Sequence, residues 1–201
     1  MATGASRNMT RTRAPVGLVA VAVAAVVLIV GAGGGHSSHR RASGPFAWLH
    51  PASAPTGWSV AHTAGGATLA YPPGWRPIRT DSGTASAALL GRGGRIDGYL
   101  NATPKQGAET LASWSRFRPA HNRGEGNRSV RLVASSSDLS FRAGRGSCVI
   151  DDYRTSKAAY REIACLVSGR GSSAVVVAAA PSAVWDRQAS TLQRAVSSFV
   201  P

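Results

Sequence analysis

Acidic residues and lysine are scarce in this chain of 201 residues. Nine Asp and Glu stand against 23 Lys and Arg, which gives a formal net charge of +14 at pH 7. Lys105 and Lys157 are the only lysines, so arginine carries nearly all of the positive charge. Such an excess favours anionic partners such as lipid headgroups, acidic envelope polymers or nucleic acid.

Motifs that recognise nucleic acid are absent from the sequence. It contains no Cys/His finger, no basic-region helix and no aromatic-basic motif that would stack bases. The arginines are instead scattered through predicted turns and strand edges. We therefore expect no nucleic-acid partner, and the alternative to a specific anion site is a solvated arginine-rich surface.

Catalytic and metal-binding signatures are also missing. There is no G-x-S-x-G motif of a serine hydrolase, and two cysteines are too few for a structural zinc site without a nearby histidine. His121 and Glu125 lie in the polar segment 118–128, which we interpret as a solvated loop. Asp151 and Asp152 are adjacent and would point to opposite faces of a strand, which argues against a carboxylate pair. We predict no catalytic residue, no metal and no cofactor.

One long apolar run lies near the N-terminus. Residues 15–31 read PVGLVAVAVAAVVLIVG, and the uncharged stretch continues to residue 35. This length can cross a hydrocarbon core of about 30 Å as a helix, and the run lacks the polar face of a surface helix. We predict an uncleaved transmembrane signal anchor at 15–35. A cleaved signal peptide is the alternative, although its apolar region is usually shorter, roughly 7–15 residues.

The charges that flank this run orient it only weakly. Arg7, Arg11 and Arg13 precede it, and Arg40 and Arg41 follow it. The positive-inside rule then favours a cytoplasmic N-terminus by a narrow margin. Residues 1–14 are thus predicted to be a basic cytoplasmic tail, too short for a signalling domain.

Residues 36–56 are rich in Ser, Pro, Ala and Gly and predict a linker to a domain at 57–201. Phe46, Trp48 and Leu49 interrupt this composition. They could lie at the membrane interface, but we favour their docking on the first strand of the domain.

The only two cysteines, Cys148 and Cys165, enclose a segment that predicts a β-hairpin. A turn at residues 156–157 places the cysteines opposite each other. The same register gives three favourable cross-strand pairs, namely Ile150 with Ile163, Asp152 with Arg161, and Tyr153 with Tyr160. Asp151 opposite Glu162 is the one unfavourable pair.

This register predicts a disulfide, with Cα atoms about 4.5 Å apart if the turn has two residues. A stable disulfide implies an oxidising compartment, which agrees with a domain outside the cytoplasmic membrane. The alternatives are two free buried cysteines in a cytosolic domain and a redox-active pair. The second lacks the usual C-x-x-C spacing.

The pattern of residues 57–201 predicts an α+β fold with an antiparallel sheet of about six to eight strands and two packing helices. The predicted strands cover residues 58–62, 67–71, 75–80, 85–90, 96–102, 129–135, 138–143, 147–155, 159–167 and 173–180. A first helix is predicted at about 107–117. The second follows Pro181, with an apolar stripe formed by Trp185, Ala189, Leu192, Val196 and Phe199.

Residues 70–75 read AYPPGW. With the order of elements, they resemble the Tyr-Pro-x-Gly-Trp turn near the start of PsbP-like domains and of membrane-anchored actinobacterial proteins that carry such a domain. The resemblance implies an antiparallel sheet between helices, a C-terminal helix, and a non-enzymatic accessory or binding role. It transfers no ligand or metal residue to this chain. The motif also has a structural explanation, because Pro-Pro-Gly forces a turn and Trp75 can fill the core beside it.

Arg145 and Arg170 each lie between two glycines, in predicted turns that share one end of the sheet. Arg92 and Arg95 belong to a third Gly-rich turn whose end the sequence leaves open. We hypothesise that these arginines form an anion-binding rim. The alternative is that the glycines serve only the hairpin turns.

These features predict a single-pass protein of the cell membrane with an extracytoplasmic, non-catalytic module. Its partner would be a protein, an anionic lipid or an acidic envelope polymer. A cell-envelope hydrolase with dispersed catalytic residues is the alternative. A pocket that joins a histidine to a carboxylate of perturbed pKa would favour the enzyme, whereas a shallow groove or an exposed apolar patch would favour the module.

Overall fold

The computed structural model describes residues 44–201, which lie in a compact unit formed by Ser38–Pro201. The predicted tail 1–14 and membrane anchor 15–35 lie outside the described residues. Among the residues described, no helix has the length and apolarity needed to span a membrane. The compact unit contains its own hydrophobic core, so a fragment limited to Ser38–Pro201 is expected to fold.

A seven-stranded antiparallel sheet forms the centre of this unit, as the alternating pattern predicted. Its spatial order is β3-β4-β5-β9-β8-β7-β6, and β1 and β2 form a separate two-stranded sheet. The strands are β1 (Ser59–His62), β2 (Thr68–Tyr71), β3 (Arg76–Pro77), β4 (Ala85–Leu90), β5 (Ile96–Pro104), β6 (Arg128–Phe141), β7 (Gly144–Arg154), β8 (Ala159–Gly169) and β9 (Ser173–Pro181). The helices are α1 (Trp114–Gly124) and α2 (Trp185–Ser197). The α+β class with two packing helices is confirmed.

The two helices cover opposite faces of the sheet. Helix α2 buries Leu192 and Val196 in the larger core cluster, which confirms the apolar stripe. Helix α1 buries Trp114 against Val149 and Val177 on the other face. Strand β9 lies between these layers, and this explains why almost all of its residues are apolar.

Helix α1 lies further along the chain than predicted, and the expected helix at 107–117 and loop at 118–128 are wrong. Residues before Trp114 form turns, in which the backbone N–H of Thr110 donates a hydrogen bond to the hydroxyl oxygen of Ser113 at 2.9 Å. The helix continues through Pro119. Trp114 anchors its start, since the indole N–H donates to the carbonyl oxygen of Ala164 at 2.9 Å.

Strand β6 replaces the two short strands predicted at 129–135 and 138–143. It is continuous but irregular, with breaks in its register against β7. Asp138 has φ +58°, so a polar run that resembles a turn is accommodated as a bulge. Bulges of this kind twist an exposed sheet edge away from pairing with another chain.

The turn formed by residues 72–75 has the predicted structural role. Gly74 has φ +83°, and the backbone N–H of Trp75 bonds to the carbonyl oxygen of Pro72 at 3.3 Å. The indole of Trp75 packs directly on Gly98, where a Cβ atom would come within 2.6 Å of the ring. Only glycine leaves room for this contact.

The cysteine hairpin has the predicted register. Cys148 pairs with Cys165, and the pairing continues through Tyr153 and Tyr160 to the turn. The two cysteines form a disulfide with Cα atoms 4.1 Å apart. Asp151 and Asp152 point to opposite faces, since Asp151 is buried under α1 whereas Asp152 binds Arg161 on the other side.

The end of the predicted linker packs onto the domain. Phe46 is fully buried and Leu49 is 3% exposed, both within the larger core. The backbone N–H of Ala52 bonds to the carbonyl oxygen of Ser197 in α2. Docking was therefore the correct expectation, and the short helical turn Gly44–Phe46 contacts β6.

Candidate functional site

A groove of about 1260 Å³ lies at the end of the sheet where the β6–β7 and β8–β9 turns meet. We name it the arginine groove. Arg142, Arg145 and Arg170 line it together with the apolar side chains of Leu49, Phe141 and Pro201. Turns of alternate hairpins thus converge as the sequence predicted, and they enclose a partly apolar surface.

Glycines allow the strands at the groove to approach closely. Gly144 pairs with Gly169 across β7 and β8, and a Cβ atom on Gly144 would collide with the carbonyl oxygen of Ser168. A Cβ atom on Gly146 would lie 2.6 Å from the ring of Phe141. These glycines are therefore required for packing.

The three arginines of the groove differ in how far they are already engaged. Arg145 lies in β7, not in the turn, and forms an ion pair with Asp138. Arg142 and Arg170 are the exposed turn residues, and neither forms an ion pair within residues 44–201. The strongest free positive charges of the groove are therefore Arg170, which the sequence indicated, and Arg142, which sequence reasoning missed although it lies three residues before Arg145.

Arg92 and Arg95 do not belong to the groove. They lie between β4 and β5. The opposite end of β5 is the one near the groove, because Pro104 pairs there with Ala174 in the first residues of β9. The guanidinium of Arg95 donates to Asp97 at 2.8 Å. The hypothesis of a single rim is therefore limited to the arginines at the groove.

A buried ionic cluster lies beneath α1. Asp151 of β7 and Glu162 of β8 are cross-strand neighbours and are 0% and 1% exposed. Arg118 donates two hydrogen bonds to the carboxylate of Glu162, at 2.6 and 3.0 Å. The amide of Asn122 donates to Asp151 at 3.0 Å and to Glu162 at 3.1 Å. Two residues of α1 thus bind both carboxylates and fix the helix on the sheet.

The two carboxyl groups differ in their affinity for protons. Burial, with a further contribution from the charge of Glu162, raises the pKa of Asp151 to about 8. Burial also acts to raise the pKa of Glu162, but the charge and hydrogen bonds of Arg118 outweigh it and hold that pKa below its ordinary value. At neutral pH Asp151 is therefore protonated, and the charge of Glu162 is balanced by Arg118.

Sequence reasoning noted that Asp151 faces Glu162 but treated it only as an unfavourable pair. The useful signal was that two acids facing each other across a hairpin require a cation or a shared proton if they are buried. Arg118 and Asn122 could not be chosen as partners, because residues 118–128 were predicted to be a loop.

A second cavity, of about 520 Å³, opens beside α1 over β5 and β9. We name it the carboxylate pocket, because Asp81, Glu109, Glu125 and Glu162 line it. Its aromatic lining comes from Tyr99, Trp114, Phe117 and Tyr153.

His121 and Glu125 belong to this pocket and not to a solvated loop. His121 is in the last turn of α1, and Glu125 follows the helix. The Nε2 atom of His121 lies 3.5 Å from Oε1 of Glu125, and its ring stacks on Phe117 at 5.8 Å. No group of three or more His, Cys, Asp or Glu side chains in residues 44–201 has an arrangement suited to a metal ion.

Comparison with known proteins shows which solved structures resemble this architecture. No protein-family model matches the chain, and no curated protein matches its sequence. The solution structure of cyanobacterial PsbP (CyanoP) from Synechocystis sp. PCC 6803 is similar, with 16% identity and a TM-score of 0.52 over 73% of this chain and 93% of that chain. LpqN of Mycobacterium tuberculosis, described as involved in cell envelope biogenesis, gives 11% identity and a TM-score of 0.42 over 72% of this chain and 91% of its own. The likeness to the cyanobacterial protein, with the antiparallel sheet between two helices, shows that this chain has a PsbP-like fold.

Proposed function

We propose that the domain is a non-catalytic accessory module that binds an anionic partner of the cell envelope through the arginine groove. The observation that carries this proposal is the pairing of two exposed arginines, Arg142 and Arg170, with an apolar lining in one groove. A partner with acidic groups on an apolar or polymeric backbone fits such a surface. The positive charge of the whole domain would add long-range attraction.

The test uses the fragment Ser38–Pro201 with Arg142→Ala and Arg170→Ala combined. We expect the double variant to lose at least about tenfold in affinity for vesicles that contain phosphatidylglycerol or for poly(glycerol phosphate), a loss equivalent to about 1.4 kcal/mol. The two probes distinguish a lipid from a polymer as the source of the anion. Equal binding of variant and wild type to both probes would contradict the proposal.

A matched control removes two exposed arginines elsewhere. Arg76→Ala with Arg92→Ala changes the net charge by the same amount, and both residues are exposed outside the groove. We expect this control to keep most of the affinity. If both double variants weaken binding equally, net charge rather than the groove accounts for it.

We also propose that residues 15–35 hold the domain at the outer surface of the cytoplasmic membrane. The support is the apolar run itself together with a disulfide that needs an oxidising compartment. Lys105 and Lys157 are exposed and are the only lysines. A membrane-impermeant amine reagent should therefore label both lysines in intact cells and leave the N-terminal amine unlabelled until the cells are lysed.

An envelope hydrolase is the second candidate, because the carboxylate pocket does join His121 to a carboxyl group, Glu162, whose pKa is shifted. Two observations argue against the hydrolase. Arg118 and Asn122 already occupy the carboxylate of Glu162, and no described hydroxyl donates to His121. Hydrolysis of ester, amide or phosphoester substrates that is lost in His121→Gln would favour the enzyme instead.

A further inference from the structure

The carboxylate pocket differs in charge from the rest of the protein. The chain has nine acidic residues, and four of them line this one pocket. Among Arg and Lys side chains, only Arg118 contributes to the lining. Because Arg118 is already bound to Glu162 in a two-point ion pair, the carboxylates of Asp81, Glu109 and Glu125 leave the pocket negative inside a strongly positive protein.

Glu109 is the unusual member of this group. It is 5% exposed and lines the pocket. Its Oε1 atom accepts the backbone N–H of Gln106 at 3.3 Å, whereas its Oε2 atom is buried without a hydrogen-bond partner among the described residues. Burial acts to raise the pKa of Glu109, but the surrounding backbone N–H groups and the nearby charge of Lys105 hold it below the ordinary value. A buried, ionised carboxylate with an unused oxygen is costly unless something supplies a donor.

The floor of the pocket is a hydrogen-bonded network of side chains. On the floor, the amide of Asn101 donates to Ser86 and the hydroxyl of Thr103 donates to Asn101, both at 2.7 Å. The aromatic walls include Phe117, which stacks on Trp114 and on His121. Aromatic faces attract organic cations. The pocket therefore combines a pre-formed polar floor, aromatic rings and an excess of acidic over basic side chains.

We propose that the carboxylate pocket binds a small ligand that carries an alkylammonium group, with Glu109 as its principal charge partner and Asp81 as a second. The volume of about 520 Å³ falls in the range typical of small-molecule sites. Entry of an ammonium group gives Oε2 of Glu109 the donor that it lacks and balances the charge of the pocket. This site is separate from the arginine groove and takes a ligand of the opposite charge.

The experiment measures binding to the full chain in a nonionic detergent by titration calorimetry. The probe is 1,5-diaminopentane, and 1,5-pentanediol is its neutral isostere. We expect the diamine to bind and the diol to bind at least about tenfold more weakly, because only the diamine carries the charge that the pocket lacks. Absence of diamine binding up to 10 mM, or equal binding of the diol, would overturn the proposal.

Substitutions test whether the diamine binds in the carboxylate pocket. Glu109→Gln keeps the acceptor for Gln106 and removes the charge, so we expect at least about a tenfold loss of diamine affinity. If this buried variant does not fold, Asp81→Asn at an exposed position should lower the affinity by a smaller factor, and unchanged affinity in it would overturn the proposal. Asp186→Asn on α2 is the matched acidic control and should bind as wild type does. Arg170→Ala should also leave diamine binding unchanged, which separates this site from the proposed groove.

Discussion

Asp151 shows how one buried proton can determine the pH dependence of stability. In the unfolded chain this carboxyl group loses its proton near pH 3.9, but in the folded protein burial raises its pKa to about 8. The unfolded state therefore binds fewer protons between these values. The contribution of Asp151 to the free energy of unfolding is full below pH 3.9 and decreases as the pH rises toward 8.

We accordingly expect Asp151→Asn to stabilise the protein at pH 8 by more than about 1.4 kcal/mol, the equivalent of a single pKa unit. The amide cannot ionise, so the difference from wild type should disappear at pH 4. Urea denaturation at both pH values measures it. Asp186→Asn, which replaces an exposed acid, should show no such change with pH, and a destabilised Asp151→Asn protein at pH 8 would refute this assignment.

Single residues could be predicted where a local pattern determines them. The register that joins Cys148 to Cys165, and with it the placement of Asp151 opposite Glu162, follows from one turn within a contiguous segment. Arg118 could not be predicted, because it comes from a helix more than 40 residues away in sequence. Its role depends on where α1 lies over the sheet, and no local sequence pattern predicts that position.

Among the elements, the hairpin of β7 and β8 is linked covalently as well as by its hydrogen bonds. The disulfide spans a sequence separation of 17, and closing a loop of that size should stabilise the fold by about 3 kcal/mol in the chain-entropy estimate. Replacing both cysteines by alanine should therefore cost about that amount while the register is retained. Urea denaturation with and without dithiothreitol measures this: the reductant should weaken the wild type and leave the double variant unchanged.

The segment before β1 acts as an element of the domain although its composition resembles a linker. Phe46 is fully buried, so Phe46→Ala should destabilise the fragment Ser38–Pro201 by about 3–5 kcal/mol. Trp48 is only partly buried, and Trp48→Ala should cost less. A Phe46→Ala fragment as stable as wild type would instead indicate that this side chain is not part of the core.

Helix boundaries were the least predictable feature at this scale. Residues 118–128 contain one proline, two glycines and two asparagines, which are typical of loops, yet most of the segment is helical. The contacts of Trp114, Arg118 and Asn122 with β7 and β8 outweigh the weak local propensity, as tertiary packing often does. Strand β9 and helix α2 were predictable from their apolar patterns. The strand is buried on both faces and is apolar at nearly every position, whereas the helix is buried on one face and carries a single apolar stripe.

At the scale of the whole molecule, charge is divided between two regions. The arginine groove presents exposed positive charges that remain available, whereas the carboxylate pocket collects negative charge beside and beneath α1. Salt screens exposed charges more effectively than buried ones, since the Debye length falls from about 10 Å at 0.1 M to about 3 Å at 1 M salt. The two proposed binding reactions should therefore respond differently to ionic strength.

We expect binding of the fragment Ser38–Pro201 to phosphatidylglycerol vesicles to weaken at least about tenfold between 0.1 and 1 M NaCl, because the groove arginines are exposed. Binding of 1,5-diaminopentane should weaken by a smaller factor, since Glu109 lies almost entirely out of contact with solvent. Both affinities are measured by titration at several salt concentrations. Equal salt dependence of the two would mean that the diamine binds exposed carboxylates, and then Glu109 would not be its partner.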